Sequence, residues 1–349
     1  MPGGDAIIVN TRSQSAGLTG VQRYTERLCA WLGERLETVQ PSRMHQGFSG
    51  HLWEQAVLPI HAGRRLLWSP ANTGPLRLRR QVLTVHDVAS LEHPEWFDAK
   101  FAAWYRWLTP RLVKRVSRVI TISEFSRQRL AESAKCDPSL ITVIPLGVDD
   151  RFHPRQRDEI RAVMQKLRIP TANYVLSLGS LEPRKNLPRL MQAWSRCVAR
   201  LGDDVSLVVA GAPGRTRIFR ELKLGDRPAR VHTVGFVDDA DLPALYSGAI
   251  ALAYPSMYEG FGLPVLEAMA CGTVPVASNA TALPEVTGGA GLLVDVFDVE
   301  AIGHAIVSLI EDSDLRNQLR MRAIERSRLF SWERAAKLTS QVLDEALQQ

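Results

Sequence analysis

Two glutamates, Glu259 and Glu267, stand eight positions apart in a segment broken up by glycines and a proline. Pro264 fits the first turn of a helix, where its missing N–H costs nothing, so the segment predicts a strand, a glycine-bearing loop and a short helix. The free N–H groups of Gly262 and Leu263 would then form a phosphate site at the helix N-terminus. Glu259 would lie beside that phosphate, and Glu267 could accept hydrogen bonds from two vicinal hydroxyls. Each glutamate alone could be a helix-dipole partner or a solvated side chain, but together they predict a sugar-nucleotide site.

A second group of candidate residues follows a predicted strand and comprises Gly179, Ser180, Arg184 and Lys185. Gly179 permits a close backbone approach. Arg184 offers a planar fork, and Lys185 a point charge, for phosphate oxygens. The alternative is a solvated pair at a helix start, where the helix dipole disfavours cations unless an anion is nearby.

These cations also bear on the chemistry of a transfer reaction. The leaving diphosphate gains charge as its bond breaks, so fixed cations would stabilise the transition state more than the ground state. We therefore expect no metal ion and no cofactor beside the nucleotide sugar. We also expect Lys185 to be exposed, so that Lys185→Ala would reduce turnover far more than stability.

In the first half of the chain, His86 and Asp87 end a strongly apolar run. His86 could hydrogen-bond a sugar hydroxyl, or its backbone carbonyl could stabilise developing positive charge. Asp87 could share that role or cap the following turn, since Asp after a strand commonly starts a helix. A glycine-bearing loop that ends at Gly20 is a further candidate anion or substrate site. Its spacing differs from G-x-G-x-x-G, which argues against a nicotinamide site.

The segment 99–119 has an amphipathic pattern that predicts a helix. Its basic residues are spaced i, i+3, i+4 and i+7, which would place them on one helical face; they are Arg111, Lys114, Arg115 and Arg118. Such a face could rest on anionic lipid headgroups. The alternative is a core helix with a solvated basic side.

The composition is that of an ordinary globular protein. The chain has 349 residues, of which 45% are hydrophobic and 23% charged, and this length favours two domains. No apolar run approaches the ~20 residues of a membrane span, and the first residues lack the pattern of a signal peptide.

Four scattered cysteines favour a reducing compartment over disulfides or zinc, so we expect a cytoplasmic protein. The net charge of +6 suits anionic ligands or an anionic membrane surface, and the absence of a nucleic-acid motif argues against nucleic acid as a partner.

Short apolar runs alternate with amphipathic segments, a pattern typical of parallel α/β domains. The expected strands cover 6–9, 66–68, 81–85, 119–122 and 141–144 in the first series, and 174–179, 205–211, 231–234, 250–253 and 274–277 in the second. A turn and a charged segment separate the two series, so the predicted domains are 1–149 and 150–330. Two doubly wound domains facing each other would bind a ligand at the carboxyl ends of their strands.

Several of these segments resemble the retaining GT-B glycosyltransferases of family GT4, also called glycosyltransferase group 1. The resemblance rests on the string from Glu259 to Glu267 and on motifs at 86–87, 121–126, 144–149, 181–186, 277–286 and 330–333. It spans nearly the whole chain, and its second-half motifs are specific as a set. It implies the GT-B architecture, with two Rossmann-like domains facing across a cleft. The final helix, 331–349, would pack back on the first, acceptor-side domain, and the second domain would bind the donor.

The resemblance also implies roles on the donor side. Arg184 and Lys185 would hold the donor diphosphate. Glu259 would contact the donor sugar, and Glu267 would bind the ribose. The relatives carry an arginine where this chain has Ser180, so diphosphate binding would depend more strongly on Arg184 and Lys185.

Further roles follow from the same resemblance. His86 would lie near the transferred sugar, and Gly20 would close on the phosphate from the opposite domain. The base pocket would be lined by residues 235–237, which include Phe236 and Val237. Backbone N–H groups for the donor would come from Phe261, Gly262 and Leu263.

The implied reaction is transfer of a hexose from a nucleotide diphosphate sugar to an acceptor hydroxyl, with the anomeric configuration retained. The Leu-Glu-Pro-Arg-Lys-Asn variant resembles bacterial mannosyltransferases of surface polysaccharide assembly, including lipopolysaccharide, so GDP-mannose is the leading donor. The implied acceptor is a glycan or polyprenyl-linked glycan at the inner face of the cytoplasmic membrane, where peripheral contact with anionic lipid is an option.

Three alternatives stay open. One is the same reaction with a UDP-sugar donor. Another is a GT-B sugar-nucleotide epimerase, although its set of acid–base carboxylates and histidines is not evident in the sequence. The third is a sugar-nucleotide-binding module without turnover, although His86, Lys185 and Glu259, whose loss would indicate such a module, are all present.

Overall fold

The computed structural model describes residues 6–15, 20–41, 48–211 and 228–348. Backbone contacts divide the chain into two compact units. Unit 1 consists of residues 1–94, 99–147 and 331–349, and unit 2 of residues 95–98 and 148–330. The division after Gly147 comes two residues before the predicted boundary, and the short segment 95–98 groups with unit 2.

Unit 1 is built on a parallel sheet. Its described strands are β1 (Ile7–Asn10), β2 (Leu36–Val39), β3 (Leu67–Ser69), β4 (Gln81–Val85), β5 (Arg118–Thr121) and β6 (Ile141–Val143). Their spatial order is β2-β1-β3-β4-β5-β6, and every pair is parallel. The described helices before the domain boundary are α1 (Gly20–Leu32), α2 (Phe48–Ala56), α3 (Leu58–Ala62), α4 (Ala89–Glu92), α5 (Ala99–Val113) and α6 (Glu124–Ala134).

Unit 2 is built on a second parallel sheet. Its described strands are β7 (Asn173–Leu178), β8 (Val205–Ala210), β9 (Val231–Gly235), β10 (Ala251–Tyr254), β11 (Val274–Ser278) and β12 (Leu292–Val294). The order β12-β11-β10-β7-β8-β9 is that of a Rossmann sheet. The described helices are α7 (Arg157–Lys166), α8 (Leu187–Cys197), α9 (Leu242–Gly248), α10 (Leu263–Ala270), α11 (Leu283–Thr287), α12 (Val299–Glu311) and α13 (Ser313–Ser327).

Strands β4, β8, β10 and β11 are buried along their whole length. Helices cover both faces of such a sheet, so its strands read as continuous apolar runs, and the sequence therefore predicted them to within one or two residues. The prediction missed β2 and β12, which are edge strands. Their side chains are partly exposed, and they lack an apolar run long enough to distinguish them from loops.

The core of unit 2 shows how helices attach to the sheet. Leu190 and Trp194 on α8 and Ile302 and Ile306 on α12 are all fully buried in one cluster with strand residues such as Leu207. The spacing of four along each helix places these side chains on one face. Burying each such side chain contributes about 1.5–3 kcal/mol, which fixes α8 and therefore the loop that precedes it.

The predicted helix over 99–119 is wrong in its last six residues. Helix α5 ends at Val113, and Arg118 already begins β5, opposite Val82 of β4. The apolar residues that follow Arg118 pair with neighbouring strands, and this pairing overrides the helical spacing of the basic residues. Lys114 and Arg115 lie in the connection between the two elements. The four basic residues therefore do not share a helical face.

The last helix, α14 (Trp332–Leu347), belongs to unit 1, where it contacts α1, β4 and β5. Ser331 caps it by accepting a hydrogen bond from the N–H of Arg334 at 3.1 Å. Trp332 is 5% exposed, and its ring centroid lies 6.4 Å from that of Tyr24. A Cβ at Gly147 would lie 2.2 Å from the backbone nitrogen of Trp332, so this close approach requires glycine. Among the described residues, none of the helices has the length and apolar character needed to cross a bilayer.

Trp332→Ala is expected to lower the free energy of unfolding of unit 1 by about 3–5 kcal/mol, because it removes a buried aromatic side chain that anchors α14. Urea denaturation followed by circular dichroism measures this change. Trp31→Ala on α1 is the matched control, since Trp31 is 55% exposed, and it should change stability by about 0.5 kcal/mol or less. Equal losses in the two variants would show that α14 is not anchored through Trp332.

Candidate active site

Unit 2 contains a topological switch point between β7 and β10. These strands are neighbours, but the chain continues from β7 towards β8 and β9 and from β10 towards β11 and β12. In such sheets ligands bind outside the carboxyl ends of the two strands at this point. A small pocket lies there and is lined by Ser177, Leu178, Gly179, Ser180, Leu181, Lys185, Leu187, Val209, Ala210, Ala253 and Tyr254.

Glycines bring the backbone close together at the carboxyl ends of β7, β8 and β9. The N–H of Gly179 donates to Ala210 O at 3.0 Å, and the N–H of Gly211 donates to Gly235 O at 2.7 Å. A Cβ at Gly211 would lie only 1.9 Å from Gly179 O, and its φ of +146° also favours glycine. Gly179 was predicted from the sequence, whereas Gly211 was not. The available signal was a glycine directly after a buried strand that neighbours β7.

Lys185 lies at the centre of the site. Its ammonium donates to Glu259 Oε1 at 2.7 Å and to the Tyr254 hydroxyl, and it lies 4.7 Å from the centroid of the Tyr254 ring. The side chain is only 14% exposed, so the expectation of an exposed cation is wrong. Asn186 explains this burial, because with φ of +58° it ends the 3-10 turn Pro183–Lys185, and its buried side chain is anchored on the distant Val296 O.

Glu259 is the common acceptor of this cluster. Its Oε1 also accepts hydrogen bonds from the Ser256 hydroxyl at 2.7 Å and the Tyr254 hydroxyl at 3.0 Å. Its Oε2 lies 3.6 Å from a guanidinium nitrogen of Arg184. The residue is 6% exposed. The predicted loop carboxylate is therefore held in one orientation by a lysine, a tyrosine and a serine. Of these three residues, only the lysine was predicted from the sequence.

Arg184 is held by a second carboxylate. Its Nε donates to Glu182 Oε2 at 2.8 Å, and the other oxygen of Glu182 accepts from the Ser180 hydroxyl. The backbone carbonyl of Arg184 accepts hydrogen bonds from Met257 N at 2.7 Å and from Ser256 Oγ at 3.1 Å. Residues 180–185 and 256–259 are thus bonded to each other through the backbone as well as through the ion pairs.

Burial and charge act in opposite directions on these groups. Burial favours the neutral form of Glu259, but the charges of Lys185 and Arg184 outweigh it and hold the pKa of Glu259 at about 2. Burial lowers the pKa of the Lys185 ammonium from its usual value, and the charge of Glu259 opposes this shift. Glu259 is therefore ionised at neutral pH. Its contribution to stability is present above the ordinary pKa of 4.5 and is lost as the pH falls towards 2.

Helix α10 begins at the predicted position beside Glu259. Gly262 caps it with φ of +103°, and a Cβ at Gly262 would lie 2.4 Å from Leu283 Cδ2. N–H groups in the first turn of a helix, such as that of Leu263, have no intrahelical acceptor. Phe261 is 4% exposed and packs edge-on against Phe330 with ring centroids 5.7 Å apart. These contacts fix the helix N-terminus that was predicted to receive a phosphate.

Other predicted residues of unit 2 lie in distinct environments. Glu267 is 4% exposed, and one of its oxygens accepts a hydrogen bond from the Tyr246 hydroxyl at 3.0 Å. Phe236 and Val237 follow the carboxyl end of β9. Phe236 is 73% exposed, whereas Val237 is buried. No described contact joins Phe236 to the Lys185 cluster.

The first-half candidates lie in unit 1. Gly20 is the exposed first residue of α1, and residues 16–19 of the preceding loop lie outside the described residues. Asp87 accepts a hydrogen bond from Ala89 N at 3.0 Å, which supports its role as a turn cap. His86 is buried and follows β4. Its backbone N–H donates a hydrogen bond to Asn72 Oδ1 at 2.6 Å, and its backbone carbonyl accepts one from Ser126 Oγ at 3.1 Å.

The His86 ring is fixed in one tautomer. Its Nε2 lies 2.8 Å from Pro70 O, and a carbonyl only accepts, so Nε2 carries the proton. Burial lowers the pKa of His86, which keeps the ring neutral and leaves Nδ1 as a hydrogen-bond acceptor. The ring of Tyr24 packs edge-on at a centroid distance of 4.8 Å. His86 is therefore built to accept a hydrogen bond at Nδ1 rather than to donate a proton.

Comparison with known proteins assigns the chain to a family. The model for glycosyl transferases group 1 matches residues 159–326, and the model for glycosyltransferase family 4 matches residues 51–152. The O-antigen chain mannosyltransferase B of Escherichia coli is 34% identical over 76% of this chain and 70% of its own length. The chain belongs to the group 1 glycosyltransferases. The glycosyltransferase is also 30% identical to the serotype-specific mannosyltransferase WbdA of Escherichia coli, over 80% of this chain but only 35% of that longer protein.

Solved structures support the same fold. The crystal structure of Anabaena HepE in complex with UDP-glucose superposes with a TM-score of 0.77, covers 97% of this chain and 99% of that one, and is 20% identical. The glycosyltransferase therefore has the predicted α/β, GT-B class of fold, with one Rossmann-like sheet in each unit. Within the described part of the chain, no cluster of three or more His, Cys, Asp or Glu side chains is placed to hold a metal ion.

Lys185→Met is expected to lower the free energy of unfolding by about 3–5 kcal/mol, because it leaves the Glu259 carboxylate buried without its closest cation. Turnover should be lost as well. The double variant Lys185→Met, Glu259→Gln removes both charges, so it should recover most of the stability while staying inactive. Thermal and urea unfolding of the single and double variants measure this coupling.

Lys166→Met is the matched control for that experiment. Lys166 also contacts carboxylates, Asp238 at 3.2 Å and Asp241 at 2.6 Å, but its side chain is 56% exposed. An exposed pair contributes about 0–1 kcal/mol, so the variant should stay stable and active. A Lys185 variant as stable as the Lys166 variant would contradict the buried ion pair.

Proposed function

We propose that this glycosyltransferase moves mannose from GDP-mannose to a hydroxyl of a glycan or polyprenyl-linked glycan acceptor, with retention of the anomeric configuration. The observation that supports donor binding in unit 2 is the cluster of Lys185, Arg184 and Glu259 beside the N-terminus of α10, at the switch point of a Rossmann sheet. The choice of mannose is supported by the two Escherichia coli relatives, which are both named mannosyltransferases.

The donor diphosphate would bind between the cations and the helix N-terminus. Glu182 and Glu259 neutralise the formal charges of Arg184 and Lys185, so recognition depends on directed hydrogen bonds more than on net charge. The Lys185 ammonium has three donors, and two of them are already used by Glu259 and Tyr254. The third would serve a phosphate oxygen, together with backbone N–H groups at the start of α10.

The carboxylates of Glu182 and Glu259 would also increase the rate of glycosyl transfer. They hold the cations in place before the reaction, so no reorganisation is needed when the bond between the sugar and the diphosphate breaks and negative charge develops on the leaving group. The acceptor oxygen forms the new bond to the anomeric carbon, and its proton passes to the departing phosphate. Because the cations and the helix N-terminus supply the charge stabilisation, we propose that turnover needs no divalent metal.

The remaining residues would orient the substrates. His86, neutral with Nδ1 as an acceptor, would take a hydrogen bond from a hydroxyl of the transferred sugar. Glu267, held by Tyr246, would accept from the ribose hydroxyls. The backbone at 235–237 would line the base, and Gly20 would approach the phosphate. We further propose a cytoplasmic location with the acceptor presented at the inner membrane face.

A donor panel tests this proposal. GDP and GDP-mannose are expected to raise the midpoint of thermal unfolding more than UDP, ADP, dTDP and their common sugar conjugates, because binding to the folded state stabilises it. Slow release of GDP should follow, unaffected by a metal chelator, and addition of acceptor should yield an α-linked mannoside by NMR. His86→Ala should reduce turnover about 10- to 100-fold with little change in GDP binding, because it removes one hydrogen-bond acceptor for the transferred sugar.

Each other outcome has a defined meaning. A selective response to UDP species would keep glycosyl transfer and overturn the donor. Formation of a new sugar nucleotide without acceptor would indicate an epimerase. Binding without nucleotide release under any acceptor would indicate a binding module, and loss of activity with a chelator would overturn the metal-independent chemistry.

A further inference from the structure

A fully buried carboxylate lies in unit 1 and takes no part in the proposed donor site. Glu54 on α2 is 0% exposed. Its Oε1 accepts hydrogen bonds from Asn10 Nδ2 at 2.6 Å and from Arg12 Nε at 3.3 Å, and its Oε2 accepts one from Thr73 Oγ1 at 2.6 Å. Burial favours the neutral form of Glu54, but the charge of Arg12 and the hydrogen bond from Thr73 hold its pKa at about 2. Glu54 is therefore ionised, and Arg12 balances its charge.

The residues around Glu54 come from the carboxyl ends of neighbouring strands. Asn10 is the last residue of β1, Arg12 follows it, and Thr73 lies in the loop after β3. Because β1 and β3 are adjacent and parallel, these residues share the edge of the sheet at which open α/β domains bind ligands. Together with His51, which lies one turn before Glu54 on α2, these residues form what we call the Glu54 cluster.

A buried ion pair of this kind is not explained by stability alone. Each buried charge loses its hydration, and apolar side chains of the same volume often serve a fold equally well. Charged groups that are buried at a ligand-binding edge are therefore candidates for groups that hold a ligand or orient those that do. Arg12 and His51 are the members of the cluster that reach the surface, with side chains 16% and 15% exposed.

His51 presents a hydrogen-bond donor of defined position. The indole N–H of Trp104 on α5 lies 3.2 Å from His51 Nδ1, and this N–H can only donate. Nδ1 is therefore an acceptor, and the proton of the neutral ring is on Nε2. The nearest oxygen of Glu54 lies 3.7 Å from Nδ1, beyond hydrogen-bond length. Among the residues that the structure describes, none accepts a hydrogen bond from Nε2.

Aromatic rings border this donor. The ring centroids of Trp104 and Tyr105 lie 5.4 Å and 6.0 Å from that of His51. The Tyr105 side chain is also hydrogen-bonded to Arg12. Trp104 stacks on Trp107 at a centroid distance of 5.3 Å, and Trp107 is 43% exposed. Aromatic side chains around a few fixed polar groups are the usual composition of a small-ligand site.

The loop after β3 joins the Glu54 cluster to His86. Pro70 O lies 2.8 Å from the His86 ring, and Asn72 Oδ1 accepts from the His86 backbone N–H at 2.6 Å. Thr73 of the same loop donates to Glu54. Strands β1 and β4 lie on either side of β3, so their carboxyl ends are two strand spacings apart, about 10 Å. A ligand at the cluster would therefore lie next to the sugar that His86 is proposed to contact.

We propose that the Glu54 cluster binds a neutral sugar of the acceptor glycan and that His51 donates a hydrogen bond to one of its hydroxyls. The inference rests on the proposed glycosyl transfer and adds the residues and the chemical class of the acceptor group. The charges of Arg12 and Glu54 cancel and the His51 ring is neutral, so the cluster carries no net charge for a phosphate or a carboxylate. Glu54 acts as a positioning residue, because it orients the Arg12 guanidinium at the margin of the subsite.

Ligand-observed NMR tests the proposal without a transfer assay. With or without GDP, the wild-type glycosyltransferase should show saturation transfer to at least one of the methyl α-glycosides of mannose, glucose, galactose and N-acetylglucosamine. Mannose 6-phosphate should bind no more tightly than methyl α-mannoside. His51→Ala should weaken glycoside binding about tenfold, because one hydrogen bond is lost. His51→Gln should restore most of the affinity, since its amide nitrogen is again a neutral donor.

His61→Ala is the matched control. His61 lies on α3 of the same unit and is exposed, so this variant should keep the wild-type affinity for the glycoside. All three variants should keep the wild-type circular dichroism spectrum and, by calorimetry, the wild-type affinity for GDP. The recovery in His51→Gln separates a lost hydrogen bond from a local loss of structure.

Three results would overturn the assignment. Absence of saturation transfer to all four glycosides would remove the sugar subsite, and equal binding by the wild type and His51→Ala would remove the role of His51. Tighter, His51-dependent binding of mannose 6-phosphate would replace a neutral ligand with an anionic one. Failure of the proposed function gives a different pattern, in which glycosides still bind through His51 but the protein binds neither GDP nor GDP-mannose.

Discussion

The buried ion pair between Lys185 and Glu259 is the interaction on which the rest of the site depends. The two residues are 74 positions apart and 2.7 Å from each other, so the fold of unit 2 must bring the loops after β7 and β10 together. A buried charge without a partner is strongly destabilising. Each loop is therefore constrained by the need to present its charge to the other, and this requirement couples the geometry of the proposed donor site to folding.

The surrounding structure satisfies that constraint. Close backbone contact at Gly179 and Gly211 sets the position of the first loop, and the anchored side chain of Asn186 turns Lys185 inwards. Ser256 bonds both to Glu259 and to the carbonyl of Arg184, which ties the loops together without further charge. A glycosyltransferase needs such fixed groups because charge develops on the leaving diphosphate only during the reaction.

Sequence patterns predicted best the strands that are buried on both faces of the sheet. Buried central strands read as apolar runs, whereas the short, partly exposed edge strands β2 and β12 were missed. The helix over 99–119 was extended past Val113, since the spacing of basic residues continues across the end of α5. Lys185 and Glu259 were identified from local motifs, but their pairing and burial depend on long-range contacts that local spacing does not encode. Ser256 became evident only from those contacts.

The most direct test compares nucleoside monophosphate and diphosphate binding by isothermal titration calorimetry, using GMP and GDP. If the Lys185 cluster holds the second phosphate, the wild type should bind GDP at least about tenfold more tightly than GMP, in line with a charge-assisted hydrogen bond of about 1.5–3 kcal/mol. The double variant Lys185→Met, Glu259→Gln should bind GDP no more tightly than GMP, and its affinity for each should equal the affinity of the wild type for GMP. An undiminished preference for GDP in that variant would contradict the account.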